Sequence, residues 1–125
     1  FAYSNIRPQG ENRMKHPEKA IALAAIANPK PFLNELKKRF DVISEHLYRD
    51  HHRFRKSDVL RLRRDLQQRG DGSTVLVTTE KDLTRLLPYK ELWADLPVYT
   101  LPVKVEISPK NEFDELILDY VGKSK

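Results

Sequence analysis

The sequence predicts an α/β domain of three layers, with a mostly parallel sheet of about four strands and helices on both of its faces. Short apolar stretches that suit buried strands alternate along the chain with segments whose apolar residues recur at helical spacing. Between them lie the Pro, Gly, Asn and Thr residues that open and close helices. Strands that alternate with helices in this way form parallel sheets, because each helix carries the chain back across the sheet.

The first half of the chain is predicted to hold two strands and one helix. Residues 20–27 form a continuous run of Ala, Ile and Leu, which is typical of a strand buried on both faces. Asn28 and Pro29 then predict a turn that opens a helix. The apolar residues of this helix recur at helical spacing: Phe32, Leu33, Leu36 and Phe40. A second strand is predicted over residues 41–47.

The second half of the chain repeats the alternation. Ser57 is predicted to be the N-cap of a helix that ends at Gly70. A β-branched strand follows over residues 74–77. Thr79 is predicted to cap the next helix, and Asp82, three residues on, completes a capping-box-like pair.

The two ends of the chain differ in character. Residues 1–18 are broken by Pro and Gly and are predicted to be a linker or hinge, which leaves residues 19–125 as the α/β domain. Residues 96–107 predict a last strand, and its two prolines favour an edge position because each lacks a backbone donor. A final amphipathic helix is predicted to begin at Asn111.

Composition excludes several classes of function. At 125 residues the chain is predicted to be a single domain, and the absence of Cys excludes disulfides and thiolate metal sites. No apolar run approaches the roughly 20 residues that span a bilayer, and the first residues do not resemble a signal peptide, so a cytoplasmic setting is expected. The four glycines build no Gly-x-x-x-x-Gly-Lys-Ser/Thr motif, so this sequence holds no P-loop.

The positive charge of the chain is concentrated in one segment. Between Arg53 and Arg69 seven basic residues stand against two acidic ones, an excess equal to the whole formal charge of +5. A basic helix of this kind can face phosphate, nucleic acid or anionic lipid. A solvated helix face is an equally good interpretation.

The first polar cluster, Asp50, His51 and His52, directly follows the second predicted strand. Ligands in open α/β sheets bind at strand carboxyl ends, and histidine titrates near neutrality beside a carboxylate that can fix its tautomer. These residues are therefore predicted to be catalytic acid–base groups, with a structural polar loop or metal ligands as alternatives. A metal site is not predicted, because no second cluster supplies the third and fourth ligands.

The second polar cluster, Glu80, Lys81 and Asp82, lies in a predicted first helical turn. The helix dipole favours the two acids there but not Lys81, which is expected to pair with Asp50 or to reach a phosphate. Together with Arg53, these three residues are the candidates for the phosphate side of a substrate site.

With these residues in view, residues 20–120 resemble the C-terminal portion of the tetraacyldisaccharide 4′-kinase family of Gram-negative bacteria. Four ordered stretches carry the resemblance: Ala25 to Pro29 followed by Phe32, Tyr48 to Phe54, Val77 to Asp82, and Leu101 to Val103.

The resemblance implies an enzyme that transfers the γ-phosphate of ATP, with Mg²⁺, to the 4′-hydroxyl of the tetraacyldisaccharide 1-phosphate precursor of lipid A. It implies peripheral attachment to the anionic inner face of the cytoplasmic membrane, and ATP and Mg²⁺ held mainly by an N-terminal P-loop domain. Either His51 or His52 would act with an acidic residue of that domain near the attacking hydroxyl. The chain alone is expected to be inactive, because phosphoryl transfer depends on Mg²⁺ and the P-loop lysine.

Two other functions compete with the kinase. A metal-dependent phosphoesterase of the Asp-His-His type would need further aspartate clusters, which the sequence lacks. A nucleic-acid binding module would use the basic segment to neutralise phosphates. Only Phe54 is aromatic near that segment, so no stacking platform is evident and nucleic acid is not the expected partner.

Overall fold

The computed structural model describes residues 2–3, 5–12, 14 and 16–104. The final helix predicted from Asn111 and the last part of the strand predicted over residues 96–107 lie outside the described residues. No helix in the described part of the chain is both long enough and apolar enough to cross a membrane.

The described elements alternate between strands and helices as predicted. In chain order they are β1 (Ala2–Tyr3), β2 (Arg7–Pro8), β3 (Lys19–Ala24), α1 (Lys30–Arg39), β4 (Asp41–Leu47), α2 (Lys56–Arg69), β5 (Thr74–Thr78), α3 (Glu80–Leu86), a 3₁₀ turn (Leu87–Tyr89), α4 (Lys90–Trp93), β6 (Val98–Thr100) and β7 (Val103–Lys104). The main sheet has five strands in the order β2-β6-β5-β3-β4, with only β2 antiparallel, while β1 and β7 form a separate antiparallel pair. The predicted α/β class is confirmed, with one strand more than expected in the sheet.

Strand β3 lies inside the sheet and is buried on both faces. Alternate residues of a strand point to opposite sides. The face of β3 that carries Ala22 packs against α1, and the face that carries Ile21 packs against α2, α3 and α4. The strand is shorter than the apolar run 20–27, because the backbone N–H of Ala25 donates to Asp82 Oδ2 over 2.9 Å instead of to a neighbouring strand.

The order in which the chain visits the strands indicates where a ligand can bind. From β3 the chain moves outward over α1 to β4, and it then crosses back over α2 to β5 on the other side of β3. The strand order therefore reverses between β3 and β5. In folds of this kind, the crevice at the carboxyl ends of those two strands is the usual ligand site.

Two local predictions were wrong, for identifiable reasons. The helix predicted to be capped by Ser57 begins at Lys56 instead, with Arg55 as its N-cap, because the Asp58 carboxylate accepts the Arg55 backbone N–H over 2.9 Å and closes the helix end two residues earlier. Strand β6 was expected at an edge, but β2 pairs along its outer side. The prolines that favoured the edge flank β6 without entering it.

The predicted linker makes defined contacts with the domain. Besides the pairing of β2, the backbone N–H of Gln9 donates to the Val98 carbonyl over 2.8 Å, and that of Glu11 donates to the Ala94 carbonyl over 2.7 Å. A hinge role for residues 1–18 stays a prediction.

Strand β4 carries a bulge at Ile43. Ala20 of β3 pairs with Val42, but the next residue, Ile21, pairs with Ser44, so Ile43 is an extra residue in the strand. From Ser44 onward the bulge shifts the alternation of the strand by one position.

Beyond the bulge, β4 is joined to α2 by a polar network. The Ser44 hydroxyl donates to Asp65 Oδ2 over 2.6 Å, and His46 Nε2 lies 2.6 Å from the same oxygen. Arg69 Nε lies 3.1 Å from Asp65 Oδ1. Burial favours the uncharged acid, but the hydrogen bonds from Ser44 and His46 outweigh it, and the pKa of Asp65 is held below its usual value.

The network predicts a pH dependence of stability that Asp65→Asn removes. Because the pKa of Asp65 is lower in the folded than in the unfolded chain, its carboxylate stabilises the fold above about pH 4, and this contribution is lost as the pH falls through the folded pKa. We expect Asp65→Asn to lower the free energy of unfolding by about 1–3 kcal/mol at pH 7. The difference in unfolding free energy between the variant and the wild type should shrink as the pH falls from 7 toward 3, as measured by urea unfolding.

The control is Asp41→Asn, at the exposed start of the same strand. It should keep the wild-type dependence of unfolding free energy on pH. If the difference in unfolding free energy between Asp65→Asn and wild type stays constant from pH 7 to pH 3, the stabilising role of the Asp65 carboxylate is contradicted.

Candidate functional site

The loop after β4 holds the first polar cluster and exposes one histidine. The backbone N–H of His52 donates to the Arg49 carbonyl over 3.0 Å and closes a tight turn. Within this turn His51 has a φ of 65°, in the left-handed region that residues other than glycine seldom adopt. Such a conformation costs about 1 kcal/mol or more and is often found at functional sites. The turn leaves the His51 side chain 77% exposed.

The two predicted clusters meet through Asp50. One carboxylate oxygen, Oδ2, lies 3.4 Å from His51 Nε2, and the other, Oδ1, lies 3.7 Å from Lys81 Nζ. The expectation that Lys81 pairs with Asp50 is therefore confirmed as a contact, whereas its alternative role toward a phosphate stays a prediction. The structure places a proton-accepting group and two opposite charges side by side at the carboxyl ends of the sheet.

His52, in contrast, points into the fold. Its ring stacks on Tyr48 with centroids 4.4 Å apart and meets Phe54 edge-on at 5.3 Å. Its Nε2 donates to Asp58 Oδ2 over 3.0 Å. Burial favours the neutral acid of Asp58, but the hydrogen bonds from His52 and the Arg55 backbone outweigh it and lower the pKa of Asp58. His52 thus fastens the loop to the start of α2.

In the second cluster, the predicted cap of α3 is confirmed. Thr79 Oγ1 accepts the Asp82 backbone N–H over 3.0 Å, and the Thr79 hydroxyl donates to Asp82 Oδ2 over 2.8 Å. The Asp82 carboxylate also accepts the Ala25 N–H, so it joins the exit of β3 to the start of α3. Asp82 is fully buried, which favours a structural role over direct ligand contact, while Glu80 and Lys81 are exposed.

An open cleft of about 380 Å³ adjoins the exposed histidine. It is lined by His51, His52, Arg53, Phe54, Arg85, Pro88 and Tyr89. Sequence reasoning had singled out the histidines and Arg53 but missed Arg85. The signal that would have found it is its place four residues after Lys81, which puts both cations on one side of α3.

The arrangement can accept a proton at His51 and can neutralise negative charge with Lys81, Arg53 and Arg85. Among the described residues, no three His, Cys, Asp or Glu side chains cluster as a metal site requires.

We predict that Asp82→Asn destabilises the chain. The amide replaces one carboxylate oxygen by a donor in a fully buried place where Ala25 N–H, Thr79 and Arg85 all present donors. We expect the free energy of unfolding to fall by about 1–3 kcal/mol in urea denaturation. Glu80→Gln changes an exposed residue in the same helical turn and should lower the free energy of unfolding by less than about 1 kcal/mol. An Asp82→Asn variant as stable as Glu80→Gln would contradict this role.

Several relatives match most of this chain, and each bears the name tetraacyldisaccharide 4′-kinase. The relative from Bacteroides thetaiotaomicron is 33% identical over 108 residues, which are 83% of this chain and 28% of that protein. One from Chelativorans sp. is 36% identical over 104 residues, 82% of this chain and 29% of that protein. One from Porphyromonas gingivalis is 34% identical over 110 residues, 84% of this chain and 29% of that protein.

The chain thus spans less than a third of the length of these curated relatives. No solved structure matches it. The family model described as Tetraacyldisaccharide-1-P 4′-kinase matches residues 2–122, a range that includes both polar clusters and the cleft between them. With nearly its whole length matched in this way, the chain belongs to the tetraacyldisaccharide-1-P 4′-kinase family.

Proposed function

We propose that this chain is the part of a tetraacyldisaccharide 4′-kinase that brings a proton-accepting histidine, His51, to the hydroxyl that receives a phosphoryl group. Membership of the family supports the reaction class, a phosphoryl transfer from ATP to the 4′-hydroxyl of tetraacyldisaccharide 1-phosphate. The observation that carries the assignment of His51 is its exposure, in a strained turn at the carboxyl ends of the sheet.

The surroundings of His51 suit a general base. A neutral imidazole can take the proton of an attacking hydroxyl, and a neighbouring carboxylate stabilises the imidazolium that forms. Asp50 lies 3.4 Å from His51 Nε2 and is itself held 3.7 Å from Lys81. His52 is engaged by Asp58 and Tyr48, so we assign it to positioning the loop rather than to the proton transfer.

The nucleotide is proposed to bind mainly outside this chain. When bound, ATP and Mg²⁺ supply the phosphoryl group and neutralise the charge that develops on it. The sequence in hand contains no P-loop motif, so we assign that role to a P-loop domain elsewhere in the protein and expect the chain by itself to be inactive. The described residues contribute the proton acceptor and positive charge.

The test is kinase turnover by the full-length protein with His51→Asn. Asparagine tolerates the left-handed backbone of residue 51 but cannot act as the base. We expect kcat to fall by about 100-fold or more, with little change in unfolding free energy. Transfer of labelled phosphate from ATP to the disaccharide measures this.

His52→Gln is the matched comparison. It loses the stacking on Tyr48 and the hydrogen bond to Asp58, so the free energy of unfolding should fall by about 1–2 kcal/mol. Its kcat should stay within about tenfold of wild type. The reverse pattern, with His52→Gln inactive and His51→Asn active, would reassign the base to His52.

We also propose that the protein acts peripherally at the inner face of the cytoplasmic membrane. The basic segment supports this, although some of its members contact acidic side chains: Arg63 makes two 2.8 Å contacts with Asp95, and Arg69 lies near Asp65. The remaining basic residues of the segment are all exposed: Arg53, Arg55, Lys56, Arg61 and Arg64. An anionic lipid surface attracts exposed cations of this kind.

Vesicle binding by the full-length protein tests the membrane proposal. The double variant Lys56→Gln with Arg64→Gln should bind vesicles that contain phosphatidylglycerol about tenfold or more weakly than wild type, because each basic residue contributes about 1 kcal/mol. The control removes two exposed cations from α1 on the opposite face, Lys37→Gln with Lys38→Gln. Equal losses in the two double variants, or binding that ignores phosphatidylglycerol, would contradict the proposal.

A further inference from the structure

We infer that the cleft between the His51 loop and α3 is a phosphate-binding subsite, in which Arg53 and Arg85 hold the phosphate. We call it the phosphate cleft; its lining is that given above for the 380 Å³ cleft. The inference deepens the proposed function and rests on it for its kinetic test. The ligand chemistry is a phosphate group, which both the nucleotide and the sugar 1-phosphate of the disaccharide carry.

Contacts with two buried residues, Ala25 and Asp82, hold the Arg85 side chain in position. Its Nη1 donates to the Ala25 carbonyl over 3.4 Å and lies 3.7 Å from Asp82 Oδ1. Both partners are buried, and the Arg85 side chain itself is 27% exposed. Within the described part of the chain these contacts engage Nη1 alone. The other guanidinium donors stay available to a ligand, already ordered before it binds.

The charges around the phosphate cleft favour an anion. No carboxylate is among its lining residues. Of the acids nearby, Asp82 faces Arg85 and Asp50 faces Lys81, so each of these two is offset by a cation, while Asp58 accepts hydrogen bonds from His52 and from the Arg55 backbone. Arg53 is exposed and adds positive charge that no described contact offsets. Two arginines at one opening are well suited to a phosphate, whose oxygens accept two parallel hydrogen bonds from a guanidinium.

The position of the cleft links it to the proposed chemistry. His51 is both the proposed base and part of the lining, so a phosphate held by the arginines lies beside the point where the proton is accepted. Among the lining residues, the Tyr89 hydroxyl donates to the Phe54 carbonyl over 3.1 Å and fixes the loop against the segment after α3. The cleft is therefore built on hydrogen-bonded elements.

An alternative is that Arg85 serves only to neutralise buried Asp82. Lysine separates the two roles, because it keeps the positive charge but cannot make the paired hydrogen bonds of a guanidinium. If Arg85 only neutralises Asp82, Arg85→Lys should bind phosphates as wild type does. If it holds a phosphate, Arg85→Lys should bind more weakly.

The first test is calorimetric titration of the full-length protein with inorganic pyrophosphate and with glucosamine 1-phosphate. We expect salt-sensitive binding that is about tenfold weaker in Arg53→Gln and in Arg85→Lys. Lys38→Gln, on the opposite face, should bind as wild type does. A larger loss of pyrophosphate binding in the two arginine variants would assign the cleft to the nucleotide, and a larger loss of glucosamine 1-phosphate binding would assign it to the disaccharide. No binding, or binding unaffected by either arginine variant, would overturn the inference.

The second test separates this inference from the proposed function. In the full-length kinase, Arg53→Gln should raise KM about tenfold for the substrate whose phosphate enters the cleft and should lower kcat far less than His51→Asn does. An unchanged KM for both substrates in an active enzyme would overturn the phosphate cleft alone. A wild-type protein without phosphoryl transfer would overturn the proposed function, while the titration would still decide the cleft. Because Arg53 is exposed, its variant carries the test even if Arg85→Lys folds poorly.

Discussion

The hydrogen bonds of the buried Asp82 carboxylate are the interaction on which the geometry of the site depends. One oxygen accepts from the Ala25 backbone at the exit of β3 and from the Thr79 hydroxyl at the start of α3. The other faces Arg85. Since a buried N–H without an acceptor is strongly unfavourable, the two chain segments cannot separate easily. Lys81, the exposed neighbour of Asp82, is thereby carried to Asp50.

Of the two adjacent histidines, His52 packs inside the fold and His51 is exposed, and the conformation of the backbone causes this difference. The left-handed turn at His51 sends consecutive side chains in different directions. His52 then finds Tyr48 and Asp58 and becomes part of the packing, whereas His51 stays in solvent beside a carboxylate. Strain at one residue is thus balanced by ordered contacts at the next, a combination expected where a functional group must be displayed on a fixed support.

The fold class could be predicted from the sequence because a strand buried on both faces, such as β3, must consist of apolar residues. The Thr79 cap could be predicted because an N-cap depends only on residues a few positions apart in the chain. Sequence reasoning failed where distant parts meet. The two-residue strand β2 is too short to show any period, so its pairing beside β6 left no signal. Likewise Arg85 joins the cleft only through the packing of α3 against the loop of His51. Nothing in two consecutive histidines indicates which of them a turn will expose.

The bulge at Ile43 has a consequence for how the chain can change length. With the extra residue, Ser44 and His46 face α2, and Glu45 faces α1, where it lies 3.5 Å from Lys37. A strand with the same residues but no bulge would exchange the two faces, sending the polar pair toward α1 and Glu45 toward the apolar packing under α2. Deleting Ile43 would leave Ser44 paired with Ile21 and each later residue on its present face, whereas deleting Glu45 would turn His46 toward α1. Where a residue is lost from this strand therefore matters more than the loss itself.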